Sequence, residues 1–246
     1  MRLEELRKLH QKKFRQELGC FLVEGEHLVL ELQKALAIDP RLSASELYLT
    51  REYSHWRSPL PVHTITARQM AQISETRSPQ GIVAVVPLLS VPISSSTRRA
   101  IYLYEIQDPG NLGTILRTLA WFGGFRCLLS PNSVDVHNAK TVRASMGALF
   151  HVPIEADVPP ATLPGRFSRV AHLGLEGEPI ASPQFREFDC YVYGSEARGL
   201  PQAVLEALKS PAFTIAGSGA LESLNVATSV AVCQYELARP AGDRAR

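Results

Sequence analysis

From Ala100 to Leu237 the sequence alternates short runs of strand-forming residues with helical stretches, and this alternation limits the fold more than any other feature. Strands joined by helices pair side by side in parallel, so the pattern predicts a mostly parallel sheet with helices on its faces. In such sheets ligands bind at the carboxyl ends of the strands. We therefore predict an α/β fold whose functional site lies where the strands end.

The predicted elements of this series follow one another without an internal repeat. They are a strand at 100–106, a helix at 111–122, a strand at 126–130, a helix at 137–144, strands at 152–155, 169–175 and 190–193, a helix after residue 200, a strand at 213–215 and a last helix to about residue 239.

The N-terminal part predicts a smaller α/β unit, with strands at 20–23, 46–50, 62–66 and 82–86 and helices at 27–36 and 67–73. A Pro- and Ser-rich stretch without periodicity, 87–99, follows it. We assign residues 1–90 to a first domain, 91–99 to a linker, 100–240 to a second domain and 241–246 to a frayed tail.

Residues 1–18 predict an amphipathic helix with a basic outer face. They hold six Lys/Arg against three acids, and leucines and Phe14 recur at roughly helical spacing. A solvated helix face and a nucleic-acid contact explain this pattern equally well.

Composition narrows the class of protein. An apolar fraction of 45% and a charged fraction of 20% are those of a soluble globular protein, and no apolar run approaches the thickness of a bilayer. The charged N-terminus lacks the apolar core of a secretory signal, which predicts a cytoplasmic protein. Four cysteines far apart in the sequence, with no CxxC pair, predict buried thiols and no metal site.

Three predicted strand ends lead into segments rich in Gly, Asn, Ser and charged residues: 108–123, 193–201 and 216–227. In the third, a glycine turn feeds an apolar helix, with Ser223 where an N-cap is expected. Such a junction presents free backbone N–H groups and carbonyls, so we expect a cofactor there.

Each junction also has a purely structural interpretation. Asn111 can be an N-cap, Glu196 an acid favoured by the helix dipole, and Ser223 an N-cap. Three polar junctions at one predicted sheet edge favour a functional site. The sequence has no G-x-G-x-x-G after a strand, so a cofactor would need a geometry other than the usual dinucleotide site.

Four blocks of the second domain carry a family resemblance. They are Asn111-Leu112-Gly113 with Arg117-Thr118, Lys140 to Ala148, Gly194-Ser195-Glu196 with Gly199-Leu200, and Glu222 to Ala227. In order and spacing they resemble the SpoU (TrmH-like) branch of the SPOUT RNA methyltransferases over 100–237. In one departure, Ala216-Gly217 follows Ile215 where that family usually has Pro-Met. Residues 9–25 and 81–86 resemble the small substrate-binding domain, of a ribosomal-protein-like fold, that precedes many SpoU catalytic domains.

The resemblance implies a deep trefoil knot at the C-terminal end of the catalytic domain, bound S-adenosylmethionine, a homodimer and no metal. Carried over residue by residue, it implies cofactor contacts, largely through backbone groups, at Gly194, Ile215 and Leu224. The catalytic set that it implies is Asn111, Arg117, Glu196, Ser223 and Asn225.

The implied reaction is in-line attack of an RNA ribose 2′-hydroxyl on the sulfonium methyl group, which requires alignment and removal of a proton. A guanidinium with a pKa above about 12 is a poor base, so we expect Arg117 to bind a phosphate and stabilise the developing alkoxide. Ser223 and Asn225 would orient the ribose or the methionine end of the cofactor, and Asn111 would position Arg117 or the substrate. Glu196 is either catalytic or only an anchor for the loops of the knot.

The resulting hypothesis is an S-adenosylmethionine-dependent RNA 2′-O-ribose methyltransferase that acts on ribosomal RNA. Transfer RNA is the alternative substrate. A non-catalytic RNA-binding or ribosome-assembly factor that kept the fold is the alternative from another class.

Overall fold

Two β-sheets organise the chain, and a computed structural model describes them over residues 1–94 and 97–239. The strands are β1 (Cys20–Glu24), β2 (Glu46–Leu49), β3 (Val62–Thr64), β4 (Ile82–Pro87), β5 (Arg99–Leu103), β6 (Phe125–Leu129), β7 (Ile154–Glu155), β8 (Val170–Pro179), β9 (Cys190–Tyr193) and β10 (Ala212–Thr214). The helices are α1 (Leu3–Lys8), α2 (Lys12–Leu18), α3 (Glu26–Leu36), α4 (Ala67–Ile73), α5 (Pro109–Phe122), α6 (Ala139–Ser145), α7 (Leu163–Arg166), α8 (Gln202–Leu208) and α9 (Val226–Ala238).

The larger sheet has the strand order β10-β8-β9-β5-β6-β7, and every neighbouring pair is parallel. Its central strands are apolar on both faces because helices cover both. Ile101 and Leu103 of β5 pack with α5 and α9, whereas Ala100 and Tyr102 pack with residues of α7 and α8. The predicted mostly parallel α/β sheet is confirmed, and the three polar junctions follow β5, β9 and β10.

The smaller sheet has the order β1-β4-β2-β3, with β4 antiparallel to both neighbours and β2 parallel to β3. Helix α3 buries Leu28, Val29 and Leu32 against one face. Residues of α1 and α4 cover the other face. The unit is therefore layered, as its alternating pattern predicts.

The predicted single helix over residues 1–18 is wrong, because the chain forms α1 and α2 with a break at residues 9–11. The break allows Leu6 and Leu9 to enter the core of the smaller sheet. Helix α2 then ends at Gly19, whose left-handed φ of 67° is the usual C-terminal signal of a helix.

The two sheets are held together by core-type contacts. Val142, Leu149 and Phe150 from the second half of the chain complete the apolar cluster of the smaller sheet. The buried Arg15 of α2 forms an ion pair with Asp135, its Nε lying 3.1 Å from Oδ2. The small unit is thus packed directly against the large one. The predicted tail, 241–246, and residues 95 and 96 of the predicted linker lie outside the described residues.

Burial also accounts for the cysteines. All four are free and buried, as predicted. Desolvation raises the pKa of Cys127, Cys190 and Cys233 to about 12, so these thiols stay protonated near neutral pH.

Within 1–94 and 97–239, no helix has the length and apolar character needed to cross a bilayer.

Candidate functional site

The three polar junctions meet at the carboxyl edge of the larger sheet. Strands β5 and β9 are neighbours, so their ends lie side by side, whereas β10 lies two strands further out. The chain after β10 nevertheless returns across the edge, because α9 packs against α5. Asn225, at the start of α9, donates a hydrogen bond to Asn111, 114 residues earlier in the chain.

A chain of hydrogen bonds joins these junctions. Asn111 donates from Nδ2 to Glu196 Oε1 over 3.1 Å, and its Oδ1 accepts from Asn225 Nδ2 over 3.0 Å. Asn225 Oδ1 in turn accepts from the backbone N–H groups of Ala227 and Thr228, at 2.9 and 3.3 Å. Because every link uses a distinct donor and acceptor, the network fixes the orientation of both amides.

Glu196 anchors the second junction to the first. Besides Asn111, its carboxylate accepts from the backbone N–H groups of Gln107 and Asp108, each over 3.3 Å. These donors immediately precede α5, so one acidic side chain sets the position at which that helix begins.

Asp108, which the sequence analysis did not single out, is the N-cap of α5. Its Oδ1 accepts from the backbone N–H of Asn111 over 2.8 Å, and its Oδ2 accepts from Lys140 Nζ over 3.1 Å. These two partners lower the pKa of Asp108. Asn111 is therefore not the N-cap, and its side chain is available to the network. The Asp-Pro pair before the helix is the sequence signal that could have located this cap.

The cap of α9 also differs from the prediction. Asn225 caps the helix, and Ser223 lies two residues before it in an exposed loop. Ser223 makes no hydrogen bond to any residue within the described ranges. Its hydroxyl is thus available at the edge where the network lies.

Gly194 is required by the turn after β9. The backbone of Ser195 pairs with that of Gly199, and a Cβ at residue 194 would lie 2.4 Å from the carbonyl carbon of Gly199. No larger residue fits there unless the turn changes. The absence of a side chain at Gly194 is therefore required by the turn itself, whether or not a ligand binds there.

Arg117 stands apart from the network. It lies six residues after Asn111, about 9 Å along the helix axis, and on another face of α5. It is exposed, and its side chain has no hydrogen bond or ion pair with the part of the chain that the structure describes. Asn111, Glu196 and Asn225 are brought together, whereas Arg117 is not.

Comparisons with known proteins agree with this fold. Residues 98–235 match the SpoU rRNA Methylase family, and residues 1–84 match the MRM3-like substrate binding domain. The chain is 31% identical to the 23S rRNA (guanosine(2553)-2'-O)-methyltransferase RlmP of Bacillus subtilis, over 96% of this chain and 95% of that protein.

Solved structures give the same result. A TrmH-family protein from Porphyromonas gingivalis superposes with a TM-score of 0.80 and 31% identity, covering 96% of each chain. The AdoMet-bound rRNA methyltransferase from Sinorhizobium meliloti superposes with a TM-score of 0.78 and 24% identity, over 96% of this chain and 93% of that one. At that identity the second likeness concerns the fold alone.

The chain belongs to the SpoU rRNA Methylase family. It is an RNA methyltransferase.

The third junction fits S-adenosylmethionine, the cofactor that the family resemblance implies. No backbone hydrogen bond joins residues 216–224 to the rest of the described chain, so their N–H groups and carbonyls are available to a polar ligand. Ile215 packs against the core, and the side chain of Leu224 is 48% exposed beside these groups. Free main-chain donors and acceptors next to apolar side chains suit a heterocycle that binds by its edge and its faces.

Across 1–94 and 97–239, no three His, Cys, Asp or Glu side chains are grouped so that they could hold a metal ion.

Proposed function

We propose that this protein methylates a ribose 2′-hydroxyl of ribosomal RNA. The observation that carries the proposal is the Glu196–Asn111–Asn225 network, which places two oriented amides beside the available backbone of residues 216–224. The Bacillus subtilis relative, matched over nearly its whole length, is named for 2′-O-methylation of a guanosine in 23S rRNA. The match of residues 1–84 to a substrate-binding domain supports the delivery of RNA by the small unit.

In this proposal Gly194, Ile215 and Leu224 hold S-adenosylmethionine, largely through backbone groups. When bound, the cofactor supplies a methyl group on a positively charged sulfur. Asn111, Ser223 and Asn225 orient the ribose and exclude alternative poses, since alignment is the main requirement of an in-line displacement. Glu196 holds Asn111 and the start of α5 in place.

Arg117 binds the phosphate next to the target ribose and stabilises the developing alkoxide. Its exposure and lack of a described partner support this role, because the guanidinium is available to an anion. A guanidinium remains protonated at neutral pH, so it acts as a donor and an electrostatic stabiliser.

A homodimer is part of the proposal. Trp121 of α5 is 84% exposed, and Val232 and Tyr235 of the adjacent α9 are 37% and 61% exposed. Large apolar side chains exposed on two packed helices are typical of an interaction surface. Arg117 precedes Trp121 by one helical turn and lies on the same face, so dimerisation there would carry Arg117 towards the partner copy.

A trefoil knot and the domain division are also proposed. The return of the chain from the edge strand β10 to α5, beside the central β5, supports the knot. The end of β4 at Pro87 and the start of β5 at Arg99 support domains at 1–90 and 100–240 around a linker at 91–99. We place the protein in the cytoplasm, where its bacterial rRNA-methylating relative would meet ribosomal RNA.

The decisive test is methyl transfer from labelled S-adenosylmethionine to unmodified ribosomal RNA, followed by mapping of ribose methylation. We expect one major 2′-O-methylated nucleotide in ribosomal RNA and none with Asn225→Ala. Methylation of transfer RNA alone would assign the alternative substrate. RNA binding without methylation of either RNA would overturn the enzyme proposal in favour of an assembly factor.

A further inference from the structure

A cleft of about 390 Å³ lies between the two sheets, outside the network described above. Its volume is that of a small-ligand site. Helix α2 forms one wall, and the chain after β4 forms another. The ends of β6 and β7, with the loop that follows β6, form the base.

The cleft combines apolar walls with available polar side chains. Leu88, Val152 and Ile154 line it, and Lys12, Gln16 and Asp157 reach it from opposite sides. The side chains of these three residues are exposed and have no hydrogen bond or ion pair with any residue in 1–94 or 97–239. A flat heterocycle with polar edges matches such a lining, because apolar side chains cover its faces and polar groups meet its edge.

Arg15 and Asp135 also line the cleft, but they are bonded to each other. Their charges neutralise each other, so this ion pair stabilises the packing of the two units and is not available to a ligand. The side chains left to bind a ligand therefore include one cation, one amide and one carboxylate, those of Lys12, Gln16 and Asp157, and the hydroxyl of Ser90.

Hydrogen bonds connect the base of the cleft to the candidate active site. Gln107 donates from Nε2 to the carbonyl of Asn132 over 2.8 Å, and its backbone N–H donates to Glu196 over 3.3 Å. Asn132 lies between Ser130 and Ser133, which both line the cleft. Two residues, Asn132 and Gln107, thus link the lining of the cleft to the Glu196–Asn111–Asn225 network.

The wall formed by α2 carries positive charge. Lys12 lines the cleft, and Lys13 follows it on the same helix. The ammonium groups of Lys8 and Lys13 lie 5.6 and 5.8 Å from the centre of the Phe14 ring. A polyanion entering the cleft from this side meets several cations.

We propose that the cleft binds an unstacked nucleotide of the substrate RNA, close in the chain to the nucleotide that is methylated. This inference rests on the proposed function, since it requires an RNA strand at the adjacent site. Lys12 contacts a phosphate, and the base lies between the apolar walls. Gln16 and Asp157 hydrogen-bond its edge, because carboxylates accept from exocyclic amino groups and amides both donate and accept.

The first test fills the cleft. Ala156 is exposed and lines it, so Ala156→Trp should occupy the space of the base without disturbing the core. Ala161→Trp adds the same bulk at an exposed position outside the cleft and is the matched control. We expect Ala156→Trp to weaken binding of ribosomal RNA fragments at least about fivefold, the loss of one base stacked in a protein. The control should bind like the wild type, and both variants should keep the wild-type melting temperature.

The second test addresses the phosphate contact. Lys12→Ala should reduce the slope of log affinity against log salt by about 1, as loss of one phosphate contact requires, with similar weakening across RNA sequences. Asp157→Asn should instead change the preference between bases at one position and leave the slope unchanged.

Both tests measure RNA binding and not methylation. Even if the protein bound RNA without methylating it, the tests would still show whether the cleft contributes to RNA binding. Equal RNA affinity of Ala156→Trp and Ala161→Trp, or an unchanged salt slope in Lys12→Ala, would overturn the inference. RNA with 4-thiouridine near the target should also cross-link to residues 12–16 or 152–157. Cross-links confined to other surfaces would contradict it.

Discussion

At the scale of single residues, the site depends on a few side chains whose hydrogen bonds leave one possible orientation. Asn111 is held at both ends of its amide, by Glu196 and by Asn225. The sequence identified these three residues through the family resemblance, but it could not show that they touch. It also placed the α9 cap at Ser223, because Ser and Asn are both good N-caps and stand two positions apart.

Glu196→Gln tests the anchor. A glutamine offers one acceptor oxygen and turns an NH₂ group towards donors, so at least one of the N–H groups of Gln107, Asp108 and Asn111 loses its partner. We expect a loss of stability of only about 0.5–1 kcal/mol, because these hydrogen bonds are solvent-exposed, and a clear fall in kcat, measured by urea unfolding and methyl transfer. Glu206→Gln, on exposed α8, is the control. Wild-type kcat in Glu196→Gln would contradict the anchoring role.

Arg117→Ala separates substrate chemistry from cofactor binding. Because Arg117 lies on another face of α5 from the network, its removal should leave S-adenosylmethionine affinity within a few-fold of the wild type. Methyl transfer should fall to background, since the phosphate contact and the stabilisation of the alkoxide are lost. Calorimetry with the cofactor and a methylation assay measure the two effects. Equal loss of both would contradict the role proposed for Arg117.

At the scale of elements, the position of α5 determines the geometry of the site, because this helix carries Asn111 and packs against both α6 and α9. Most helices and strands follow from the sequence, since their apolar periodicity is regular. The break between α1 and α2 does not, because leucines continue at helical spacing across it. The contact between α5 and α6 could not be predicted either, because a glycine in the sequence does not indicate which residue packs against it.

Gly113→Ala tests that contact. An added Cβ would lie 2.4 Å from Ala144 Cβ and 2.8 Å from the Ala144 carbonyl carbon, so the helices must move apart. We expect destabilisation of about 1–3 kcal/mol by urea unfolding, as for other overpacked cores. Adding Ala144→Gly should restore only part of it, because the backbone contact remains. Thr114→Ala, on the exposed face of the same helix, should be nearly neutral, and an equal effect at both positions would exclude the packing explanation.

At the scale of the whole molecule, the two units are joined by a buried ion pair and by apolar residues that complete each other's cores. The sequence predicts two units but not their docking. Arg15 belongs to a run of basic residues that suggests an exposed face, and its partner Asp135 is 120 residues away. Nothing local distinguishes Arg15 from the exposed Lys12 and Lys13.

A double-mutant cycle measures the docking. Asp135→Asn should destabilise the protein by about 3 kcal/mol, because it leaves the buried Arg15 without its counter-charge. Arg15→Met should cost less, because Asp135 is partly exposed and still accepts a hydrogen bond from the backbone N–H of His137. The double variant should lose clearly less than the sum of the two single losses. The single variants should also show separate unfolding transitions for the two units, whereas the wild type unfolds in one. Simple additivity would mean that the pair does not couple the units.

His137 makes the docking sensitive to acid. Its ring packs against Phe21 at an interplanar angle of 49°, and burial lowers its pKa to about 4, with Asp135 opposing this shift and Arg15 adding to it. The unfolded chain therefore binds a proton below pH 6.5 that the folded protein does not. Stability should fall as the pH is lowered from 6.5 towards 4, by up to about 1.4 kcal/mol per pH unit. His137→Phe should flatten this dependence in urea unfolding, whereas His55→Phe should not.

The strand order of the larger sheet has a consequence for synthesis of the chain on the ribosome. Strand β8 pairs with β9 and β10, both of which follow it in the sequence, so it emerges with no neighbour to join. Likewise, the side-chain amide of Asn111 cannot accept its hydrogen bond from Asn225 until the start of α9 has been synthesised. A nascent chain that stops before α9 contains the small unit and all the strands of the larger sheet, but its catalytic edge is incomplete. The Glu196–Asn111–Asn225 network can therefore form only after the start of α9 has been synthesised.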